Sequence, residues 1–358
     1  MMTNDAAPNG CWRELHANAD TSATASRSLV SRLAEHCIKA AGSLPGQGLY
    51  RGVKRGLLRV GLQPIAGRCD LERIHRGKVT DREIRGFSKV LAIRKGYYDY
   101  EYFNVCFLNN VAVLCMKAFC EGFLPRVEIC NSKGENLWES FFDQPFPDIS
   151  TEGKKVLVYD EKALEAFPLW DDIYDPRRRH EFIELYARFA ILNSEAKHYV
   201  QSETDTLLPG RKVLGVLCRG TDYTATKPKG HPIQPEREQI IAKVREVFHS
   251  GAYEYVYLAT EDSKYDALFR SEYGDRLLIN RRNYYDKVFS EGELKLIKDV
   301  HFDRENDDYL KGLEYISSLQ ILANCDGLVA GNCGGTQAVV FWNGGKYREA
   351  HVFDGGLY

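Results

Sequence analysis

The chain has 358 residues, a formal net charge of −2 and 44% hydrophobic residues. This length exceeds one small domain and fits two domains of moderate size. The near-zero charge excludes a global electrostatic attraction to nucleic acid, so an anionic ligand must be met by local positive charge. The ten cysteines contain no Cys-x-x-Cys pair, which predicts buried thiols in a reducing, cytoplasmic protein rather than a zinc site or a disulfide framework.

The N-terminal region predicts no compact domain. Residues 1–28 are rich in Ala, Ser, Thr, Asn and Asp, a composition typical of disorder, and residues 29–87 indicate a helical and basic extension. Within it, residues 48–62 combine Leu, Val and Tyr with four basic residues and four glycines. Such a segment is typical of peripheral contact with an anionic membrane, of a solvated basic helix face, or of no helix at all. The sequence shows neither a membrane-spanning apolar run nor a signal peptide.

From residue 88 onward, strand-like and helix-like segments become regular. "SKVLAIRKG" predicts a strand, "NVAVLCMKAFCEG" a helix with Gly122 as its C-cap, and "LPRVEIC" and "KKVLVYD" two more strands. Apolar residues at a spacing of three to four predict one long helix over 177–200. Residues 202–210 have the composition of a linker, which places the domain boundary between residues 205 and 206.

In the second half, strands and helices alternate. The predicted strands are 212–218, 253–259, 276–280 and 326–331, and the predicted helices are 236–250, 263–272, 308–324 and one that opens near Thr336. This alternation implies a parallel, doubly wound sheet. Such sheets bind ligands at the carboxyl ends of their strands.

The first informative strand end carries Arg219, Gly220, Thr221 and Asp222. Arginine presents a planar charged fork that suits phosphate oxygens, glycine permits close approach, and threonine adds a hydroxyl. Asp222 either holds the arginine or contacts substrate. The alternative is that Arg219 and Asp222 form an ion pair that only staples the loop.

The second strand end carries Thr260, Glu261 and Asp262. Carboxylates at this place accept hydrogen bonds from ribose hydroxyls or from the N–H edge of a base. The alternative is that Thr260 or Asp262 is simply the N-cap of the next helix.

The third strand end is glycine-rich and leads directly into an apolar helix. It comprises Asn332, Cys333, Gly334, Gly335 and Thr336. Free amides at a helix N-terminus form an anion site, whereas the alternative is a tight turn that needs glycine for backbone reasons alone. The stretch is neither a Walker A loop nor a G-x-G-x-x-G motif. Together the three strand ends predict a site for a nucleoside diphosphate.

These motifs resemble the donor half of the fucosyltransferase superfamily, which comprises α-1,6-, α-1,2- and protein O-fucosyltransferases. The resemblance lies in "GVLCRGTDY", "GHPI", "YLATED" and "LVAGNCGGTQAVVFW", and more faintly in "NN" at a predicted helix start and in "ENLWESFFDQP". It covers residues 88–345 and is strongest over 213–340. It implies an α/β, GT-B fold in which two Rossmann-like, doubly wound domains face across a cleft. The acceptor-side domain would be 88–205 and the nucleotide-sugar-binding domain 206–358.

The resemblance also implies roles for individual residues. Arg219 would hold the β-phosphate of the donor, Asp262 would lie near the nucleoside, and residues 332–336 would form the phosphate-side loop. His231, in "GHPI", is a weaker donor-binding candidate. The sequence contains no Asp-x-Asp triplet, which fits an enzyme that needs neither a metal nor another cofactor.

Two departures from the α-1,6 enzymes leave the general base open. Gly220 stands where they carry a second arginine, and Lys227 stands where they carry an acidic residue. The acceptor hydroxyl must still lose a proton, so Asp222 and a carboxylate of the N-terminal half such as Glu139 are the candidates, with His231 as a weaker one.

The sequence as a whole predicts a cytoplasmic glycosyltransferase, peripheral to the membrane through residues 48–62. It would transfer fucose from GDP-fucose to a glycan or lipid-linked acceptor in polysaccharide or glycolipid biosynthesis, with no nucleic-acid partner. One alternative keeps the class and changes the nucleotide-sugar donor. The other is an inert protein that binds nucleotide or glycan on the same fold without turnover.

Overall fold

The structure is a computed structural model. It describes residues 84–94, 103, 105–120, 122–159, 170–221, 224, 226–286, 297 and 300–358. The predicted disorder over 1–28 and the predicted membrane contact over 48–62 concern residues outside this description. Of the predicted extension 29–87, only residues 84–87 are described. In the part of the chain that the structure describes, no helix has the length and apolar character needed to cross a membrane.

The described residues fall into two compact units. Unit 1 contains 84–94, 113–120, 122–139 and 144–159, and unit 2 contains 103, 105–112, 140–143 and all described residues from 170 onward.

Unit 1 is built on a three-stranded parallel sheet in the order β2-β1-β3. Its strands are β1 (Lys89–Arg94), β2 (Phe123–Glu128) and β3 (Lys155–Tyr159). Helix α1 (Val105–Cys120) links β1 to β2, as the alternation in the sequence predicts.

Helix α1 differs from its prediction only at its start. Asn109 and Asn110 lie buried inside the helix rather than at its opening. At the other end, Gly122 has a φ of 77° and its N–H donates to the Phe119 carbonyl at 3.1 Å. The predicted glycine cap is therefore confirmed, because a left-handed residue is what ends such a helix.

Unit 2 is built on a five-stranded, all-parallel sheet in the order β6-β5-β4-β7-β8. Its strands are β4 (Val213–Cys218), β5 (Tyr255–Thr260), β6 (Leu277–Leu278), β7 (Gly327–Gly331) and β8 (Glu349–Phe353). All residues of β4 and β7 are buried, because helices cover both faces of a doubly wound sheet. The predicted α/β class with a parallel, doubly wound sheet is confirmed.

Among the described residues of unit 2, six further segments are named α-helices. They are α2 (Pro176–Phe189), α3 (Ser194–Leu207), α4 (Arg237–Val247), α5 (Ser263–Tyr273), α6 (Asp307–Ala323) and α7 (Gly334–Asn343). Side chains such as Val216, Leu258, Ile240 and Phe269 form one core between the sheet, α4 and α5. Each such buried side chain contributes about 1.5–3 kcal/mol to folding.

The single long helix predicted over 177–200 is wrong. The helix ends at Phe189, and Asn193 caps a new one by accepting a hydrogen bond from the Ala196 amide at 2.9 Å. The predicted linker over 202–210 is also wrong in its first part, because α3 continues to Leu207. Local capping by an asparagine side chain outweighs the continuous apolar spacing.

Helices α2 and α3 pack on α7 and α6, respectively. The rings of Phe182 and Phe341 stack at 4.7 Å, and the Tyr309 hydroxyl donates to Glu195 at 2.9 Å. The predicted boundary between 205 and 206 therefore does not coincide with the division into compact units, which assigns the described residues from 170 onward to unit 2.

Candidate functional site

The strand order of unit 2 creates one topological switch point. From β4 the chain adds β5 and β6 on one side, then returns and adds β7 and β8 on the other, so that β4 and β7 are neighbours. The loops that leave β4 and β7 diverge there, and the crevice between them is where open parallel sheets bind ligands.

At the ends of β4 and β5, Glu261 gathers three donors from the β4 loop. Its Oε1 lies 3.5 Å from Arg219 Nε and accepts hydrogen bonds from the Gly220 amide at 3.1 Å and the Thr221 hydroxyl at 3.2 Å. Glu261 is only 7% exposed. Its predicted contact with donor is untested, whereas its contact with Arg219 is a feature of the fold. The alternative ion pair between Arg219 and Asp222 lies outside the described residues.

Asp262 is the N-cap of α5, which is the alternative weighed for it from the sequence. Its side chain accepts a hydrogen bond from the Lys264 amide at 2.8 Å. Its Oδ2 lies 3.9 Å from Arg237 Nη2. Burial raises the pKa of the Asp262 carboxyl, because the charged form loses its hydration.

Position 220 has room only for a glycine, because Asp262 and Tyr265 lie against its backbone. A Cβ at this position would lie 2.9 Å from both Asp262 Cβ and Tyr265 Cε2, and closer still to Asp262 Oδ2. The backbone of the β4 loop thus passes directly over the start of α5. An arginine of the kind that the α-1,6 enzymes carry there would not fit without moving Asp262.

At the end of β7, the Thr336 hydroxyl turns inward and the backbone forms the start of α7. Thr336 donates its hydroxyl to the Gly331 carbonyl at 2.5 Å and lies 3.4 Å from Cys333 Sγ. Cys333 is the N-cap, and its side chain makes no capping hydrogen bond to the backbone amides of the helix. The start of α7, at Gly334 and Gly335, is therefore not capped by a side chain, and its amides and dipole favour an anion.

Asn332 connects three segments of unit 2. Its Nδ2 donates to the Trp170 carbonyl at 3.0 Å, and its own carbonyl accepts from Gln234 Nε2 at 2.7 Å. Asn332 is 3% exposed, and its Oδ1 is buried with no hydrogen-bond partner among the described residues. Such an orphan acceptor needs a donor from a ligand or from water.

His231 lies in the loop after β4, with its ring centroid 5.4 Å from that of Trp170. Burial lowers the pKa of the His231 imidazole, so the ring is neutral at pH 7. The same loop pairs with residues 356–358: the Ile233 amide donates to Gly356 at 2.9 Å and the Tyr358 amide donates to His231 at 3.0 Å.

Lys227 is exposed and has a φ of 44°, a left-handed conformation that side chains other than glycine rarely adopt. Of the main candidate bases, Asp222 lies outside the described residues. Glu139 belongs to unit 1, is exposed, and accepts a hydrogen bond from Gln144 Nε2 at 2.8 Å.

Sequence reasoning missed Trp170, Gln234 and residues 356–358. Nothing in the pattern marks them, because each acts through a contact with a distant segment. Of these, only the tryptophan, one of four in the chain, could have drawn notice.

One cluster among the described residues has metal-ligand chemistry: His301, Asp307 and Asp308. The buried Lys311 ammonium already lies 3.1 Å from Asp308 Oδ1 and 3.6 Å from Asp307 Oδ2. A cation of the chain itself therefore balances these carboxylates, and the cluster does not point to a metal.

No protein-family model and no curated protein match the sequence. Solved structures do match. The NodZ α-1,6-fucosyltransferase soaked with GDP-fucose, from Bradyrhizobium, is 14% identical with a TM-score of 0.41, over 71% of this chain and 92% of that chain. POFUT1 in complex with GDP-fucose is 12% identical with a TM-score of 0.35, over 82% of this chain and 81% of that chain. An Arabidopsis thaliana FUT1 mutant in complex with GDP is 10% identical with a TM-score of 0.42, over 89% of this chain and 77% of that chain.

The chain is similar to fucosyltransferases. This similarity lies at identities of 10–14% and TM-scores of 0.35–0.42. At these identities it concerns the fold alone, and the two-domain cleft of a GT-B protein stays a prediction.

Proposed function

We propose that the chain is a glycosyltransferase whose unit 2 binds a nucleoside diphosphate sugar, with GDP-fucose as the donor and a glycan or lipid-linked acceptor. One observation carries the proposal. On neighbouring strands at the switch point, β4 ends in an arginine oriented by Glu261, and β7 ends in the uncapped start of α7. A guanidinium and a set of helix amides side by side suit the two phosphates of a diphosphate.

The chemistry follows from these two groups. As the bond from the sugar to the diphosphate oxygen breaks, negative charge grows on the leaving diphosphate. Arg219 and the amides at the start of α7 would stabilise that charge at fixed positions, which is how preorganised donors accelerate such reactions. Since the chain itself supplies this charge stabilisation, independence from metal is part of the proposal.

Glu261 contributes by orientation. Its Oε1 lies 3.5 Å from Nε of Arg219, so the carboxylate would restrain the guanidinium from the Nε side. A planar fork held in one orientation loses less entropy when it binds phosphate. In this role Glu261 is a positioning residue rather than a direct donor ligand.

The acceptor hydroxyl must also lose its proton as it attacks the sugar. Asp222 and a carboxylate of the N-terminal half such as Glu139 remain the main candidates for this base, and His231 a weaker one. Donor cleavage by water, which needs no acceptor, is therefore the simplest first test of turnover.

A thermal-shift panel with GDP, UDP, CDP, ADP and dTDP tests the donor site. At 100 times its Kd a ligand stabilises the folded protein by about 2.7 kcal/mol, and we expect GDP to give the largest shift. A larger shift with another nucleotide would change the donor and keep the class. No shift with any of the five would contradict the donor site.

Incubation with GDP-fucose separates an enzyme from an inert binder. We expect slow release of GDP and fucose by the wild type and none by Arg219→Ala. Binding of GDP with no release, under conditions that also include candidate acceptors, would favour the non-catalytic alternative.

The cellular setting belongs to the same proposal: a cytoplasmic enzyme of polysaccharide or glycolipid biosynthesis that meets its acceptor at the membrane through residues 48–62. Flotation with vesicles containing anionic lipid tests it. We expect binding that is lost when the four basic residues of this segment are replaced by glutamine, and no binding by the wild type would contradict it.

A further inference from the structure

Trp170 joins two loops to which it does not itself belong. It opens a short 3-10 helix, Trp170–Ile173, more than 40 residues before β4. Its carbonyl accepts from Asn332 Nδ2 at 3.0 Å, its indole Nε1 donates to the Gly230 carbonyl at 2.9 Å, and its ring contacts His231.

The two loops are those that diverge at the switch point. Gly230 and His231 lie in the loop after β4, and Asn332 lies directly after β7. Trp170 bonds to both loops and therefore fixes the distance between the two sides of the crevice at the edge of the crevice. A second tie, from Gln234 to the Asn332 carbonyl, connects the same two loops.

The contact with Asn332 also fixes an orientation. Because Nδ2 donates to the Trp170 carbonyl, a flip of the amide would place two oxygens against each other, so Oδ1 stays an acceptor. That oxygen is the buried one with no partner among the described residues. Trp170 therefore holds a ready acceptor for an N–H or O–H group of a ligand.

We propose that Trp170 is a positioning residue of the nucleotide site. It holds the β4 loop and the start of α7 at the spacing that the ligand requires, and it presents Asn332 Oδ1 to a donor group of the nucleoside or sugar. This inference rests on the proposed donor site, but its structural half does not: the tie between the loops exists whether or not nucleotide binds.

The test substitution is Trp170→Phe, which keeps an aromatic ring and the backbone carbonyl but removes the indole N–H together with part of the ring volume. Trp342→Phe is the matched control. Its indole Nε1 also donates to a backbone carbonyl, that of Ala190 at 3.3 Å, but at the far end of α7. Both variants lose the same kind of hydrogen bond in the same unit.

We expect Trp170→Phe to weaken binding of GDP about fivefold, the effect of one lost hydrogen bond. The KM for the donor should rise by about the same factor, with kcat changed less than twofold. Trp342→Phe should leave both unchanged. A purely structural tryptophan would lower thermal stability in both variants and leave the affinity of each for GDP as in the wild type, and that result overturns the proposal.

Hydrogen exchange supplies the readout that needs no ligand. In Trp170→Phe, the amides of His231 and Ile233 in one loop and of Gln337 in the first turn of α7 should exchange faster, while those of β4 and β7 keep wild-type rates. Wild-type exchange rates at either loop in this variant would contradict the proposal that Trp170 connects the two loops. If the wild type binds no nucleotide while both loops loosen, the proposed function fails and the tie stands.

Discussion

Arg219 and Glu261 occupy equivalent positions on neighbouring strands, each one residue beyond the paired residues Cys218 and Thr260. Parallel register therefore brings the guanidinium and the carboxylate together, with Nε and Oε1 3.5 Å apart. The pair lies at the carboxyl edge of the sheet, where it both closes the β4 loop and orients the arginine. One contact thus serves the fold and the candidate site.

Replacing Arg219 by alanine should strongly weaken nucleotide binding and preserve the fold. The loss of a charge-assisted contact to phosphate lowers affinity by about 10- to 100-fold. Glu261 keeps two other donors, the Gly220 amide and the Thr221 hydroxyl, so it is not left without partners. Titration with GDP and circular dichroism measure the two effects.

Arg245→Ala is the control, since Arg245 pairs with Glu272 at 2.5 Å on the exposed surface of the same unit. It should leave GDP affinity unchanged. If Arg219→Ala binds GDP as tightly as this control does, Arg219 is a structural staple.

Gly220→Ala should destabilise the protein by about 1–3 kcal/mol, the usual cost of forcing extra volume into a packed site. The added methyl group would overlap Asp262 and approach Tyr265 Cε2 at 2.9 Å. Urea denaturation measures the change. Asp262→Ala removes the closest overlap, that with Oδ2, although Cβ remains at 2.9 Å. The double variant should therefore be more stable than the sum of the single effects; strict additivity would show that the Asp262 carboxylate and the added methyl group do not compete for space.

Asp262→Asn should become relatively more stable than the wild type as pH rises. Burial raises the pKa of Asp262 above that of an unfolded aspartate, so the folded state binds more protons and wild-type stability falls as pH rises from about 4 through the raised pKa. Asparagine caps a helix as well as aspartate does and does not titrate. Urea unfolding from pH 4 to pH 7 should show the difference widening; a constant difference contradicts it.

As pH falls below about 6.5, the free energy of unfolding should decrease less in His231→Asn than in the wild type. Burial lowers the pKa of His231 in the folded state, so the unfolded chain takes up protons first and stability falls as pH decreases through the folded pKa. Burial and Lys243 lower the pKa of His351 as well, which adds a second contribution of the same sign. Unfolding free energies between pH 5 and pH 7.5 for His231→Asn, His351→Asn and the double variant separate the two. An unchanged pH profile in His231→Asn would contradict burial of that ring.

Much of unit 2 is predictable from the sequence because its strands are continuous apolar runs that end in polar or glycine residues. The strands expected at 212–218, 253–259 and 326–331 appear as β4, β5 and β7 within two residues at each end. The helix expected at 263–272 is α5 with one residue added. Alternation then determines the parallel sheet, and the sheet determines where ligands bind.

What escaped prediction depends on contacts between distant residues. The break between α2 and α3 comes from the Asn193 cap and from Leu192, which pairs with Phe142 far away in the sequence. Strand β8 was missed because it is a half-exposed edge strand without an apolar run. The positioning role of Glu261 and the position of Trp170 likewise follow from tertiary geometry alone.

The strand order has a consequence for the way the chain folds. β4 meets β5 through a local βαβ unit, but it meets β7 only after a long loop closes: the Val213 amide bonds to Asp326, 113 residues away. Contacts of such separation form late, because the entropy of closing the loop must be offset before they contribute. The crevice between β4 and β7 is thus completed among the last events of folding. A ligand that binds there acts on a finished sheet, so it should slow unfolding far more than it speeds folding.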